Sequence, residues 1–385
     1  VYEVYATRWD DAHVVEELIP ARGLEFTLPL SDHGECAFSA TVEPGRSFWR
    51  PAMSVSVSGV LVCRDSVPIW SGRLLPERQT GPRTFEFRAA EWGSAFEDVP
   101  AVPLALTATN DHTLFRRLIS DAQAIAGQNY LIQMGATTGA AASDLTINAW
   151  DTTTVEEEFR RLGERSDVEW YVAATGTFEN PTRTLVLGDR LGSPTPSAVL
   201  EYVESTEDYA PPSAPPTLTT LGNLFPTDSR PLDAGGRRGG NVISHPARFQ
   251  SPGITATIAV GSGQELAQLR RSAEAPDLLT AGFPRRTRTA SYSDVSIAAT
   301  LQQHANTDLA AARGMVTSYT LSTFESDPEW TGIARGDTVR VELDTDVYAG
   351  VRPLVFEARV LDMAVSVPDD APPMVNYTIA DVVGV

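Results

Sequence analysis

The chain contains no lysine: all 30 of its basic residues are arginine. Folding supplies no reason for that bias, since exposed lysine is harmless. Together with abundant Ala, Gly, Pro, Val and Asp it points to a GC-rich coding genome. Cysteine is nearly absent as well. Cys36 and Cys63 are the two in 385 residues, too few for a disulfide framework. Both stand in β-patterned segments and are expected as buried free thiols, which fits assembly in a reducing cytoplasm. No apolar run approaches the ~18 residues of a membrane-spanning helix. The opening Val1-Tyr2-Glu3-Val4-Tyr5 has neither the basic nor the apolar region of a secretory signal, so none is expected at this start. Fifty acidic residues against 30 basic ones leave a formal net charge of −20, a field that repels DNA and anionic bilayers at long range. No specific nucleic-acid binding is therefore expected. The acid serves solubility, or lines a passage through which DNA slides without sticking.

What is present is a globular composition, 42% hydrophobic and 8% aromatic, with length for roughly two to four domains. Residues 1–103 read as nearly all β and are expected to form a small barrel or sandwich. Leu24, Phe26, Leu28 and Leu30 alternate with Glu25, Thr27 and Pro29, and Phe38, Ala40 and Val42 keep the same period of two. Val55 and Val57 lead into Val60-Leu61-Val62-Cys63. Arg64-Asp65-Ser66 then turns the chain back through Ile69-Trp70-Ser71-Gly72, and Phe85, Phe87 and Ala89 form another strand. Residues 104–200 change to an α+β pattern. Asp111 is expected to cap a helix carrying Leu114, Leu118, Ile119, Ala122 and Ile125, ended by Gly127. A second helix starts at Thr152-Thr153-Thr154 and carries Val155, Phe159 and Leu162. Glu157 stands three residues after Thr154, as in a capping box. Strands follow at Glu169–Val172 and Thr184–Leu187.

Residues 201–240 are broken by Pro211, Pro212, Pro215, Pro216, Pro226 and Pro231 and by Gly235-Gly236-Arg237-Arg238-Gly239-Gly240, which reads as a linker or extended loop. Residues 241–385 are expected to be a second barrel module. They begin with strands at Asn241–Ser244 and Ile254–Val260 and a short helix from Gln264 to Ala275. A long helix over 294–313 follows, with Ser293 or Asp294 as its cap, Val295, Ala298, Leu301, Ala305, Leu309 and Ala312 on one face, and Gly314 as its end. After the turn pair Gly336-Asp337, Thr338 to Leu343 alternate strictly. The next strand holds Phe356, Ala358 and Val360 in phase, slips at Leu361-Asp362, and resumes as Met363, Val365 and Val367. That slip is the signature of a β-bulge. Val375, Tyr377 and Ile379 close the pattern. The fold class is thus mainly β, two small β-barrel modules flanking an α+β domain.

Residues suited to chemistry are scarce. His13, His33, His112, His245 and His304 lack the spacing of zinc ligands, and no HExxH or G-x-S-x-G motif occurs. No catalytic, metal or cofactor residue is expected. His13, among Asp10-Asp11 and Glu16-Glu17, reads as a solvated acidic turn. His304 reads as a packing or surface residue. Gly261-Ser262-Gly263 lacks the lysine of a phosphate loop and reads as a strand-to-helix turn. Glu156-Glu157-Glu158 fits the dipole of a helix start. The seven tryptophans are scattered and read as anchors of separate cores. Asn376-Tyr377-Thr378 matches a glycosylation sequon but falls inside an expected strand. Arg237 and Arg238 alone suggest a contact: in their glycine stretch they either clamp an acidic partner surface or keep a linker soluble.

The hairpin from Val60 to Gly72, the α+β segment, the loop before Asn241-Val242, the helix 294–313 and the Gly336-Asp337 block together resemble the tail hub proteins of bacteriophages, the baseplate hub or tail-associated proteins of long-tailed phages. Asp337-Thr338-Val339-Arg340-Val341 followed by Arg359-Val360-Leu361 is the sharpest portion of the likeness. The resemblance implies a non-enzymatic homotrimer at the virion tail tip, assembled in the bacterial cytoplasm. In it each chain gives two similar barrels, so that six surround the DNA channel and match a six-fold tail tube to a three-fold tip. It implies the distal tail protein, the tail tube, the tape measure protein and spike or fibre proteins as neighbours. The chain runs only a few residues past the last expected strand, so spike, lytic and receptor-binding activities are not carried over. Two competing expectations are a carbohydrate-binding or glycan-degrading module at the same tip, and a cell-surface β-domain protein outside phages.

Overall fold

A computed structural model describes residues 1–8, 14–43, 45, 53, 58–135, 142–166, 168–203, 242–244, 247–249, 254–263, 268–280, 285–292, 295–312, 317–324, 332–344 and 354–381. The chain divides into two compact units, Val1–His245 with Thr320–Ile379, and Pro246–Tyr319 with Ala380–Val385. It is mainly β, as expected, and built on large antiparallel sheets.

In the first unit, β1 (Tyr2–Arg8), β2 (Val14–Ile19), β3 (Arg22–Thr27), β4 (Glu35–Thr41), β5 (Ser58–Arg64), β6 (Val67–Leu74), β7 (Arg78–Gln79) and β8 (Thr84–Glu91) follow in succession. They pair in the order β3-β4-β8-β6-β5-β1-β2, with β7 beside β8. The β5–β6 hairpin forms because Asp65 and Ser66 both take positive φ, 50° and 65°, the backbone of a turn whose twist matches the strands it joins. Val4, Ala6, Val60, Val62, Trp70, Phe87 and Ala89 are buried on the inner face; each large side chain among them contributes roughly 1.5–3 kcal/mol. Cys36 and Cys63 are buried and free, as expected. Val55 and Val57 lie outside the described residues.

The next segment packs around one apolar core. It holds β9 (Leu104–Asn110), α1 (Asp111–Gln123), β10 (Ile132–Met134), β11 (Ala142–Ile147), α2 (Val155–Ser166), β12 (Glu169–Gly176) and β13 (Pro181–Gly188). Leu114, Phe115, Leu118, Ile119 and Ala122 of α1 meet Val155, Phe159 and Leu162 of α2, with Trp170 and Leu185 beneath them. The cap of α1 is Asn110, whose side chain accepts from the Thr113 N–H at 3.3 Å. Asp111 instead sits inside the first turn, and Ile125 lies past the helix end, 37% exposed. The capping box of α2 forms as expected: Glu157 N–H donates to Thr154 Oγ1 at 3.2 Å, and Thr154 N–H to Glu157 Oε2 at 3.1 Å.

Strands β14 (Val199–Val203) and β15 (Val242–Ser244) precede the second unit. After it the chain returns through β20 (Thr317–Phe324), β21 (Thr338–Asp344), β22 (Leu354–Val367) and β23 (Met374–Asp381). The expected pair of closed barrels is not found among the described residues. Among the described residues no sheet closes on itself, and one continuous sheet runs β15-β20-β23-β22-β3 into the amino-terminal strands. The reason lies in β22. Its first half pairs β21, Thr338 opposite Arg359, and its second half pairs β3, Val365 opposite Phe26. Ala358 and Val360 are buried before the phase slip and Met363 and Val365 after it, so the slip at Leu361-Asp362 turns one strand between two sets of partners.

The second unit contains β16 (Ala247–Phe249), β17 (Ala256–Val260), β18 (Arg270–Glu274), the one-turn helix α3 (Pro276–Thr280), β19 (Thr287–Ser291) and α4 (Ala298–Ala312). A three-stranded sheet in the order β18-β17-β19 carries α4 on one face, where Leu301, Ala305 and Leu309 pack on Ala259, Ala273 and Ala275. Two expectations fail here. Helix α4 starts at Ala298, four residues later than 294, and Ser293, Asp294 and Gly314 lie outside the described residues. The helix expected over Gln264–Ala275 is a strand from Arg270 on, because Val260 and Ala259 offer a ladder to Arg270 and Arg271. Gly261-Ser262-Gly263 therefore starts a strand-to-strand hairpin, with the Gly261 N–H on Leu269 O at 2.8 Å.

Candidate functional site

Among the polar side chains that the first unit buries, Glu91, Arg335 and Asp337 lie near one joint, where β8, β12, β22 and the 335–337 turn meet. Arg335 is 7% exposed and Glu91 is 1% exposed. The Arg335 guanidinium donates to Glu91 Oε1 at 3.2 Å and to Pro29 O at 2.9 Å, and its carbon lies 3.9 Å from the Tyr171 ring centroid. The Gly34 N–H donates to Glu91 Oε2 at 3.0 Å. Burial pushes the Glu91 carboxyl up, against the pull of Arg335 and of that N–H. Burial likewise raises Asp362, against the pull of the nearby Met363 and Leu28 backbone N–H groups.

A second pair lies beside the first. Arg359 grips both oxygens of Glu169, and also donates to Leu191 O at 2.8 Å and Gly336 O at 3.1 Å. Asp337 accepts from the N–H of Ser193 at 2.6 Å and of Ala334 at 2.8 Å. Here glycine is required: Gly336 has φ +91°, and a Cβ on Gly192 would stand 2.2 Å from the Gly336 carbonyl carbon. The chemistry of this set is fastening. Glu91 and Glu169 are taken up by guanidinium groups and Asp337 by backbone N–H groups, and Arg335 alone ties its turn to Glu91, 244 residues away, and to Pro29, 306 residues away.

His33 stands close by, with both ring nitrogens buried and without a hydrogen-bond partner. It is edge-on to Trp170 at 5.0 Å and lines a cavity of about 10 Å³ with Gly93, Glu156 and Phe159. Burial lowers its pKa to about 4. His112 is buried, its Nε2 2.9 Å from Asp189 Oδ1, and His304 stacks on Tyr292 at 4.3 Å. Burial pushes the Cys63 thiol up to about 11 and raises Cys36 as well, which makes both poor nucleophiles. Among the described residues no His, Cys, Asp and Glu gather as a metal site. Arg237, Arg238, His13 and His245 lie outside the described residues, as do Trp9, Trp49 and Trp330. Trp70, Trp92 and Trp170 are core residues, whereas Trp150 is 79% exposed.

An open seam lies elsewhere in the same unit. β2 and β3 are the two ends of the amino-terminal strand order, joined in sequence by Pro20-Ala21 but not by a ladder among the described residues. Between them is a groove of about 230 Å³ lined by Glu3, Leu18, Ile19, Leu24, Val367 and Asp369, among others.

Sequence reasoning did not single out Glu91, Arg335 or Glu169. The signal within reach was the segment from Asp337 to Arg359, on which the family likeness was sharpest.

By sequence, no protein-family model and no curated protein matches the chain. By structure it is similar to the tail protein from Neisseria meningitidis MC58, with a TM-score of 0.63, 12% identity, and coverage of 99% of this chain and 96% of that one. It is similar to the 43 kDa tail protein of prophage MuSo2 from Shewanella oneidensis, with a TM-score of 0.59, 10% identity and 98% of both chains covered. It also matches a chain of the Francisella PdpA-VgrG complex in its half-lidded form, with a TM-score of 0.52 and 7% identity, over 100% of this chain and 58% of that one. The chain has the fold of phage tail proteins.

Proposed function

We propose that the chain is a non-enzymatic hub of a phage-type tail tip. Three copies form a ring around the DNA channel and adapt a six-fold tube to a three-fold tip. The observation that carries the reading is the structural likeness to two tail proteins over nearly the whole of each chain. Within each copy the amino-terminal strands β1 and β3–β8 are one wedge of the ring and the carboxy-terminal strands β20–β23 the other, with β22 tying them together. The buried pairs Arg335–Glu91 and Arg359–Glu169 suit this role, since they hold distant segments in place. A net charge of −20 suits a channel that must not bind the DNA passing through it.

In this reading the neighbours are the distal tail protein and tail tube on one side and spike or fibre proteins on the other, with the tape measure protein within. The Francisella match comes from a complex, in keeping with a protein that works in contact with others. Arg237 and Arg238 are proposed as a clamp on an acidic neighbour. The mass of the chain in solution is the test: three times 41.5 kDa is expected, and a monomer at all concentrations sinks the ring.

A further inference from the structure

The two units divide the charge unevenly. The second holds seven of the 30 basic residues and six of the 50 acidic ones, which leaves it at +1 and the first unit at −21. Five of the seven, Arg270, Arg271, Arg285, Arg286 and Arg288, are exposed, and all lie in or beside the outer strands β18 and β19. Arg285 is paired with Glu274 at 2.5 Å. Arg286 and Arg288 meet no carboxylate among the described residues. The parallel register sets Arg288 beside Thr257, and Arg286 precedes it by two, so both point to one side of β19 about 7 Å apart. The far edge of β19 carries no ladder among the described residues.

The seam in the first unit is the complement. Among the described residues β2 pairs with β1 alone and its other edge carries no ladder, Leu18 is 51% exposed beside it, and the groove carries Glu3 and Asp369. Asp369 gives one oxygen to the Gly23 N–H at 3.1 Å.

We propose that the β19 edge of one copy docks along the β2–β3 seam of a second copy of this chain, with Arg286 and Arg288 meeting Glu3 and Asp369. The inference rests on the ring reading above and names the surfaces that close it. Two different patches meet, so the contact is head-to-tail and generates a closed ring when its rotation is a third of a turn. Strand-edge addition supplies the backbone bonds and the charges set register. DNA is the weaker partner for the same arginines, because it has no open strand edge to pair with β19.

The test is Arg286→Glu with Arg288→Glu in the full chain, followed by sedimentation equilibrium, with circular dichroism as the check on folding. Wild type is expected as a trimer whose assembly weakens as salt is raised. The reversal weakens assembly on the order of 100-fold, and adding Glu3→Arg with Asp369→Arg restores it. A folded reversal variant that assembles as tightly as wild type overturns the docking and leaves the ring standing. A wild-type chain that stays monomeric overturns both. A trimer unchanged by the reversal, with retention on double-stranded DNA lost instead, also overturns it.

Discussion

The two units are held together differently. The first combines a large aromatic core, Trp70, Trp92, Phe87 and Phe115 among its fully buried side chains, with buried arginine–carboxylate pairs. The second rests on Leu301, Leu309 and a group of alanines, with Thr257 Oγ1 donating to Ala305 O at 2.7 Å inside it. The difference teaches where rigidity is placed. Segments distant in sequence are fastened in the first unit, while the second is a small sheet and helix that present charged strand edges.

Removing the fastening should have the largest effect. Arg335→Ala leaves Glu91 buried without its partner and is expected to lower the unfolding free energy of the first unit by about 3–5 kcal/mol. Urea titration followed by hydrogen exchange checks whether the loss stays out of α4. The converse substitution, Leu301→Ala, opens a cavity under α4 and should remove roughly 3 kcal/mol. Exchange should then rise in β17–β19 and not in β4–β8; equal loosening of both units would show that the contrast between them is false.

His33 sharpens the comparison by pH. Its pKa in the folded state is about 4, below the ordinary ~6.5 of an unfolded histidine. The unfolded chain therefore binds the extra proton first, and the first unit loses stability as pH falls from about 6.5 to 4, by on the order of 2–3 kcal/mol. Comparing wild type with His33→Leu cancels the opposite slopes of Glu91 and Asp362, whose carboxyls burial raises. The variant's melting temperature should depend less on pH in that window; equal slopes would place His33 in contact with solvent. The smallest effect is at the cap of α2, where Thr154→Ala should destabilise by about 1 kcal/mol, measured by thermal melts.

Local chemistry was legible in the sequence. The Asp65-Ser66 turn, the Thr154–Glu157 box and the phase slip at Leu361-Asp362 each follow from neighbours a few residues apart, and each is where the pattern put it. The strand Arg270–Glu274 was not legible, because Ala273 is its single buried side chain and an edge strand with one apolar contact has no period to read. The cap at Asn110 and the helix start at Ala298 were missed by one and four residues, since several capping residues compete there. The joint was beyond reach for another reason. Glu91 and Arg335 meet across 244 residues, and no local pattern marks two ends of a chain that pair only in the folded sheet. The charge asymmetry became visible only once contacts had defined the two units.

A low-resolution image of the assembled particle, or of the isolated ring viewed down its axis, tests the central claim most directly. Six wedge-shaped densities at one radius around a threefold axis, two from each copy, are the expected result. Amino- and carboxy-terminal strands lying at unmatched radii, or a single density per copy, would contradict it.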